Sequence, residues 1–166
     1  MTKSPTVTPR ITPVAGFSAA AGGFLVHAET LVVETGQRVE LVDVTNRIME
    51  LTRTSGVREG LVSLWSLHTT CAVFINEAQQ ALHADIKRFL EETVARDTAW
   101  MHNDPAHSDC DRGNADAHLR AMLLGHSLTV QIGAGEVVLG QWQRILVGEL
   151  DGPRSRTLRI QFLGIA

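Results

Sequence analysis

Residues 61–75 read LVSLWSLHTTCAVFI, a nearly continuous apolar run that is too long for one ordinary strand. The run follows neither the two-residue period of a half-buried strand nor the 3.6-residue period of a helix. We therefore predict two strands, or one bent strand, buried on both faces. Upstream, FLVHAETLVVET from Phe24 and RVELVDV read as strands, and the second leads into a short helix that Gly56 ends.

Two amphipathic helices follow the run. In the first, Asn76 is the predicted N-cap, Glu77 lies in the first turn, and apolar residues recur from Leu82 to Leu90. The second is predicted to begin at Asn114. The later segments SLTVQI, EVVLG, QRILVGEL and TLRIQFLGI are closely spaced strands, which favours antiparallel pairing because parallel neighbours need longer crossovers. The sequence therefore predicts an α+β fold, a compact antiparallel β-sandwich with two or three helices.

The length of 166 residues is typical of one domain. We predict that residues 24–166 form it, and that residues 1–23, rich in Thr, Pro, Ala and Gly, are a disordered or extended N-terminal arm. No apolar stretch reaches the ~18 residues of a membrane span, and no signal-peptide core is evident, so we expect a soluble, cytoplasmic protein with no membrane partner. The net charge of −3 argues against a dedicated nucleic-acid binder.

The stretch between the two long helices, RDTAWMHNDPAHSDCDRGNADAHLR at 96–120, is unusually rich in histidine and aspartate. A loop of this length is usually functional or disordered, and a solvated polar loop is the simpler interpretation. Imidazole and carboxylate groups also suit zinc and its neighbours, which favours a divalent-metal site. His118, one helical turn after Asn114, and His102, after Trp100 and Met101, are the better candidates, although a hydrogen-bonded core histidine is an equal alternative for His118.

His68 lies at the end of an apolar strand and is followed by Thr69 and Thr70. A buried ring there needs partners, since an unpaired polar group costs about 1–3 kcal/mol. His68 is a candidate metal ligand, a candidate general base, or a satisfied core histidine, and strand geometry favours the last. Asn76 and Glu77 could converge on it, with ordinary helix capping as the alternative.

The C-terminal motif GQWQRILVGELDGPRSR spans residues 140–156. Alternation along a strand places Gln143 and Glu149 on one side and Trp142 on the other. A glutamate inside an apolar strand costs free energy unless it is paired. Arg154 and Arg156 are candidate partners for it, equally candidate phosphate clamps, or plain surface arginines in a turn.

Together, LHTTCAVFINE, the MHND to NADAHLRAMLLG stretch, and LGQWQRILVGELDGPRSR resemble the YjbQ-like family, whose members are often labelled secondary thiamine-phosphate synthase. The resemblance runs from about Phe24 to Gly164. It implies a β-rich α+β sandwich that assembles as a homotrimer, with its histidines gathered in a cleft. The chain departs from the family at Cys71, usually alanine, and at Asp116, which could add a ligand or orient a histidine. The matching positions are His68, Thr69, Thr70, Asn76, Glu77, His102, Asn114, His118, Gly140, Trp142, Gln143 and Glu149.

The reaction implied by the resemblance joins a pyrimidine-methyl diphosphate to a thiazole phosphate and releases pyrophosphate. Its barrier is the loss of an anionic leaving group, which a metal ion and arginines would stabilise. The metal-ligand hypothesis assigns a divalent ion, zinc or magnesium, to His68, His102 and His118. Two other functions stay open: a non-catalytic trimeric module that binds a metal or a phosphorylated metabolite, and a metal-dependent phosphate-ester hydrolase. The expected catalytic residues are His68, Glu149, Arg154 and Arg156, and the expected substrate-binding residues are Thr69, Thr70, Asn76, Glu77, Asn114, Trp142 and Gln143.

Overall fold

The structure is a computed structural model that describes residues 10–21 as backbone and residues 23–166 with their side chains. Strand β1 (Arg10–Ala21) pairs antiparallel with β2 (Phe24–Glu34). The described part of the predicted N-terminal arm is therefore a strand at the edge of the sheet. Residues 1–9 and residue 22 lie outside the described residues.

The rest of the described chain alternates short strands with three α-helices. Its elements are β3 (Glu40–Asp43), α1 (Thr45–Ser55), β4 (Glu59–Ser66), β5 (Cys71–Asn76), α2 (Gln80–Thr93), a 3₁₀ turn (Met101–Asn103), α3 (Ala115–Leu124), β6 (Ser127–Gly133), β7 (Glu136–Val137), β8 (Arg144–Glu149) and β9 (Ser155–Ile165). None of these helices is long and apolar enough to cross a bilayer.

The strands form two antiparallel sheets. One has the order β1-β2-β9-β4-β6-β7, and the other has the order β3-β8-β5. The main core lies between them, where side chains such as Leu31, Leu64 and Phe162 of the larger sheet meet Val73 and Val147 of the smaller sheet. Helices α2 and α3 cover the other face of the smaller sheet through a second apolar cluster. The predicted α+β sandwich is confirmed.

The run at 61–75 consists of two strands, β4 and β5, that belong to different sheets. The prediction that the run is buried on both faces is wrong for β4. Its side chains alternate between the core and the outer face, so Leu64 is fully buried whereas Trp65 is 55% exposed. Strand β5 begins with three buried residues because helices and core cover its two faces.

The predicted N-cap of the helix after β5 is also wrong. Asn76 still pairs with Arg144 as the last residue of β5, and its Oδ1 accepts a hydrogen bond from the Glu77 amide at 2.9 Å. Helix α2 begins three residues later than predicted, where Gln79 Oε1 accepts from the Leu82 amide at 2.7 Å. Strand pairing therefore extends the chain past the first suitable capping residue.

Candidate functional site

Distant parts of the sequence meet at a cavity of about 610 Å³, which we call the cationic cleft. It lies where the β4–β5 loop, the long loop before α3, the first turn of α3 and the start of β9 come together. Three arginines and one aspartate line it, so the excess charge of the lining is positive. The lining residues are Leu67, His68, Thr69, Thr70, His102, Cys110, Arg112, Asn114, His118, Asp151, Arg154, Ser155 and Arg156.

His102 and His118 form an edge-to-face pair in the cleft. Their ring centroids are 5.0 Å apart and the ring planes are inclined by 82°. His102 belongs to the 3₁₀ turn and is exposed, whereas His118 projects half-buried from α3. Burial, and then the neighbouring His102, lower the pKa of His118 despite the opposing charges of Asp151 and Asp116. Its surroundings therefore favour the neutral form of the His118 imidazole.

His68 sits in the β4–β5 loop on another wall of the cleft. Its Nε2 accepts a hydrogen bond from the Thr157 amide at 2.8 Å, which requires an unprotonated Nε2 and leaves the ring proton on Nδ1. Burial, and then the positive charge of Arg156, lower the pKa of His68, in agreement with a neutral ring. Nε2 is thus occupied as an acceptor, and Nδ1 carries the ring proton, so neither nitrogen presents a free lone pair. In this arrangement His68 is not free to bind a metal.

The floor of the cleft is a buried ion pair between β8 and β9. Arg156 Nε donates to Glu149 Oε2 at 2.6 Å, and Nη2 contacts the second carboxylate oxygen. The same Nη2 donates to Thr70 Oγ1 at 3.0 Å, while the Thr35 hydroxyl donates to Glu149 at 3.0 Å. Glu149 is fully buried, so it acts on the cleft through Arg156 and does not line it.

Asp151 is the carboxylate that orders the cleft, and no motif in the sequence distinguishes it. Its Oδ2 accepts from Asn114 Nδ2 and from Arg154 Nη2, each at 2.9 Å. Its Oδ1 accepts from Arg38 Nη1 at 3.0 Å. One buried carboxylate therefore ties α3 to the turn before β9. The only local signal was an acidic residue just after an apolar strand and near two arginines, which is also typical of a simple turn.

Arg112, also missed, lies in the long loop, with Nη1 3.9 Å from Asp151. It is exposed and makes no closer ion pair among the described residues. In Arg154 and Arg156, Nη1 makes no hydrogen bond within the described part of the chain. These three guanidinium groups can therefore donate to an anion without giving up their existing partners.

The sequence suggested that Asp116 could orient a histidine, but in the structure its carboxylate binds arginines instead. It is fully buried in the first turn of α3, where it accepts from Arg38 Nη2 at 3.1 Å and lies 3.4 Å from Arg120 Nη1. Arg120 in turn contacts Glu91 of α2. Asp116 thus belongs to an ionic network that joins the helices behind the cleft.

Four of the expected substrate-binding residues do not line the cleft. Asn76 and Glu77 lie at the far end of β5, because that strand runs away from the loop holding His68. Trp142 and Gln143 precede β8, which begins only at Arg144, so they do not flank Glu149 on a strand as expected. Trp142 is 67% exposed, and Gln143 Oε1 accepts from the Gly140 amide at 2.7 Å. Thr69, Thr70 and Asn114 do line the cleft.

Within the described residues, no group of three or more His, Cys, Asp or Glu side chains is arranged to hold a metal ion. His102 and His118 are the two imidazoles that lie close to each other. The third expected ligand, His68, is occupied by the Thr157 amide. The donor set therefore fits at most a two-histidine site, whose other ligands would come from a bound substrate or from outside this set.

The chain is similar to known proteins over most of its length. The model of the UPF0047 protein YjbQ-like family matches residues 29–165. A UPF0047 protein of Methanothermobacter thermautotrophicus is 42% identical over 139 residues, covering 84% of this chain and 93% of the relative. The UPF0047 protein YugU of Bacillus subtilis is 32% identical over 137 residues, with coverage of 82% and 98%.

Solved structures show the same fold. A YbjQ-like protein of unknown function from Sulfolobus solfataricus P2 superposes with a TM-score of 0.79 at 33% identity, covering 85% of this chain and 99% of that one. A hypothetical protein from Aeropyrum pernix K1 gives a TM-score of 0.76 at 37% identity, with coverage of 82% and 98%. The family match, the sequence identities and the shared fold agree, and the chain belongs to the UPF0047 YjbQ-like family.

Proposed function

We propose that the cationic cleft binds a phosphorylated small molecule and catalyses a transfer of the thiamine-phosphate synthase type. The observation that carries the proposal is the meeting of His68, His118, Arg154 and Arg156 around one cavity. Arginine side chains with free donors suit phosphate and diphosphate oxygens. A cavity of this size also falls within the range of small-molecule sites.

In the proposed reaction, the bond between the pyrimidine methylene carbon and the diphosphate oxygen breaks, and its electron pair leaves with pyrophosphate. The methylene carbon then bonds to the thiazole nitrogen, which becomes positively charged, so no proton has to be removed. The departing charge is what the site must stabilise. Arg154 and Arg156 would donate to the diphosphate through Nη1, and His68 would donate through Nδ1–H. Glu149 holds Arg156 in place and is a positioning residue.

A divalent metal ion stays part of the proposal, but with two protein ligands instead of three. His102 and His118 would hold it, and when bound it would supply Lewis-acid stabilisation to phosphate oxygens. Metal analysis of protein purified without added zinc tests this, with His118→Ala expected to lose the metal. Full metal stoichiometry in that variant would end the assignment.

We also propose that the chain assembles as a homotrimer. Strand β4 supports self-association because Leu61 and Trp65 are 42% and 55% exposed on the outer face of the sheet. Analytical ultracentrifugation should give three times the mass of one chain. A wild-type monomer at micromolar concentration would contradict this. The free cysteines Cys71 and Cys110 fit a reducing compartment, and we propose a cytoplasmic location.

Phosphate-ester hydrolysis is the second candidate, and the neutral, half-buried His118 favours it. Its imidazole could accept a proton from a water molecule whose oxygen attacks phosphorus, and could pass that proton to the ester oxygen as the bond from phosphorus to the alcohol breaks. A screen of phosphate esters for released phosphate tests this reaction. Binding without turnover of any substrate would leave the non-catalytic binding module.

The decisive experiment mixes the purified protein with the pyrimidine-methyl diphosphate and the thiazole phosphate, and measures thiamine phosphate and pyrophosphate. We expect His68→Ala to lower the rate about 100-fold. Trp142→Ala is the matched control, because this large side chain is exposed and outside the cleft. In a cell that lacks thiamine-phosphate synthase, the wild type should restore growth and His68→Ala should not. No product from the wild-type protein would refute the transfer reaction.

A further inference from the structure

A second cavity adjoins the cationic cleft. Its volume is about 370 Å³, and its walls are Trp100, Met101, His102, Ala115, His118 and Leu119. We call it the Trp100 pocket. The histidine pair lines both cavities, so His102 and His118 have one cavity on their arginine side and the other on their apolar side. Of the two rings, that of His102 is exposed and that of His118 is half-buried.

The Trp100 pocket is chemically unlike the cationic cleft. Apart from the two shared imidazoles, its walls are Trp100, Met101, Ala115 and Leu119, which carry no charge. The indole is fixed, because Trp100 Nε1 donates to the Ala95 carbonyl at 3.0 Å. Ala115 and Leu119 are one turn apart on α3, so a rigid helix presents both. An apolar recess with a fixed aromatic wall suits a flat ring.

We propose that one ligand occupies both cavities, with its phosphate among the arginines and an aryl or heteroaryl ring in the Trp100 pocket. The inference rests on the proposed function and adds to it the place of the ligand's aromatic ring and the residue that selects the ring. The two cavities share the histidine pair as lining and therefore lie side by side, within the reach of a single ligand. Small-molecule sites commonly combine an apolar recess with a few polar groups that fix orientation.

The His102–His118 pair has a defined place in this arrangement. A ligand with its phosphate in the cleft and its aromatic ring in the Trp100 pocket would lie beside the two imidazoles. Their ring centroids are 5.0 Å apart. His118 is then positioned beside the bond between the ring substituent and the phosphate. Leu119, the next residue on α3, becomes a specificity-determining residue for the ring while the arginines of the cleft remain responsible for the phosphate.

The test is a calorimetric titration with benzyl phosphate and with methyl phosphate, which carry the same anionic group with and without an aromatic ring. We expect the wild type to bind benzyl phosphate about tenfold more tightly, since the ring buries apolar surface. Leu119→Gln should remove that preference and leave the methyl phosphate affinity unchanged. Met122→Gln is the matched control, because Met122 lies on the same helix, is 65% exposed and lines neither cavity.

The outcomes separate the two proposals. If both esters bind with equal affinity, or if Leu119→Gln weakens both equally, the ring site is refuted and the phosphate site stands. If neither ester binds, the proposed function itself fails. A change of oligomeric mass in Leu119→Gln, but not in Met122→Gln, would show that a second copy of the chain covers the pocket, which also refutes the inference.

Discussion

Arg156→Met tests whether the ion pair with Glu149 holds the floor of the cationic cleft. Both side chains are buried, and Arg156 donates to Glu149 and to Thr70 Oγ1. The variant leaves a buried carboxylate without its countercharge, which typically costs about 3–5 kcal/mol of unfolding free energy. The hydrogen bonds from the Thr35 hydroxyl and the Asp151 amide remain. We therefore expect Arg156→Met to lower the unfolding free energy by about 3 kcal/mol, the lower end of that range.

The assay is urea denaturation followed by far-UV circular dichroism at pH 7.5, applied to Arg156→Met, Glu149→Gln and the double variant. The double variant should be at least as stable as either single variant, because no buried charge is then left unpaired. Arg159→Met, on the outer face of the same strand, is the matched control and should change stability by less than about 0.5 kcal/mol. Single-variant losses that simply add in the double variant would refute the coupling.

Three further predictions concern Asp151, the histidines whose pKa burial lowers, and Trp142. Asp151→Asn should lower the unfolding free energy by about 2 kcal/mol in urea denaturation, since hydrogen bonds to a charged group are lost, and an unchanged midpoint would contradict that role. Burial, the largest cause in each case, lowers the pKa values of His68, His83 and His118, so the unfolded chain binds more protons in acid. Stability is then fully present above the unfolded pKa of about 6.5 and falls as the pH drops towards the folded values, and equal urea midpoints at pH 7.5 and 5.5 would be inconsistent with this. Trp142→Ala should leave the calorimetric affinity for pyrophosphate within about twofold of wild type, whereas a loss of about tenfold would place the turn before β8 at the ligand.

Local signals predicted most of the elements. The glycine after α1 ends it as expected, because Gly56 adopts a left-handed conformation with φ of 81°. The segments FLVHAETLVVET and TLRIQFLGI, predicted as strands, are found in β2 and β9. The start of α2 was misplaced because Asn76, a preferred capping residue, pairs with Arg144 in β5 and Gln79 caps the helix instead.

The site was predictable in part. The sequence placed His68, His102 and His118 in one cleft only through the family resemblance, and the structure does bring all three to its walls. The role of each ring depends on the other atoms around it: the Thr157 amide that occupies His68 comes from a strand 89 residues away in sequence. Neither the periodicity nor the residue spacing of the sequence predicts that hydrogen bond.

Asp151 is a site residue that the sequence did not predict. In the sequence it is one acidic residue in an Asp-Gly-Pro turn, a context in which aspartate is common for purely local reasons. Its importance arises because Arg38 and Asn114, far apart in sequence, both donate to its carboxylate. Burial of a carboxylate with several donors is visible only once the elements are packed.

The most direct test of the account is a pyrophosphate titration observed through the imidazole signals of the histidines by NMR. The signals of His68, His102 and His118 should shift together and saturate at one ligand per chain, because all three rings line the cationic cleft. His83, on α2 and outside the cleft, is the internal reference and should not move. Absence of any shift, or shifts that include His83 but omit His68 and His118, would contradict a phosphate-binding cleft at this place.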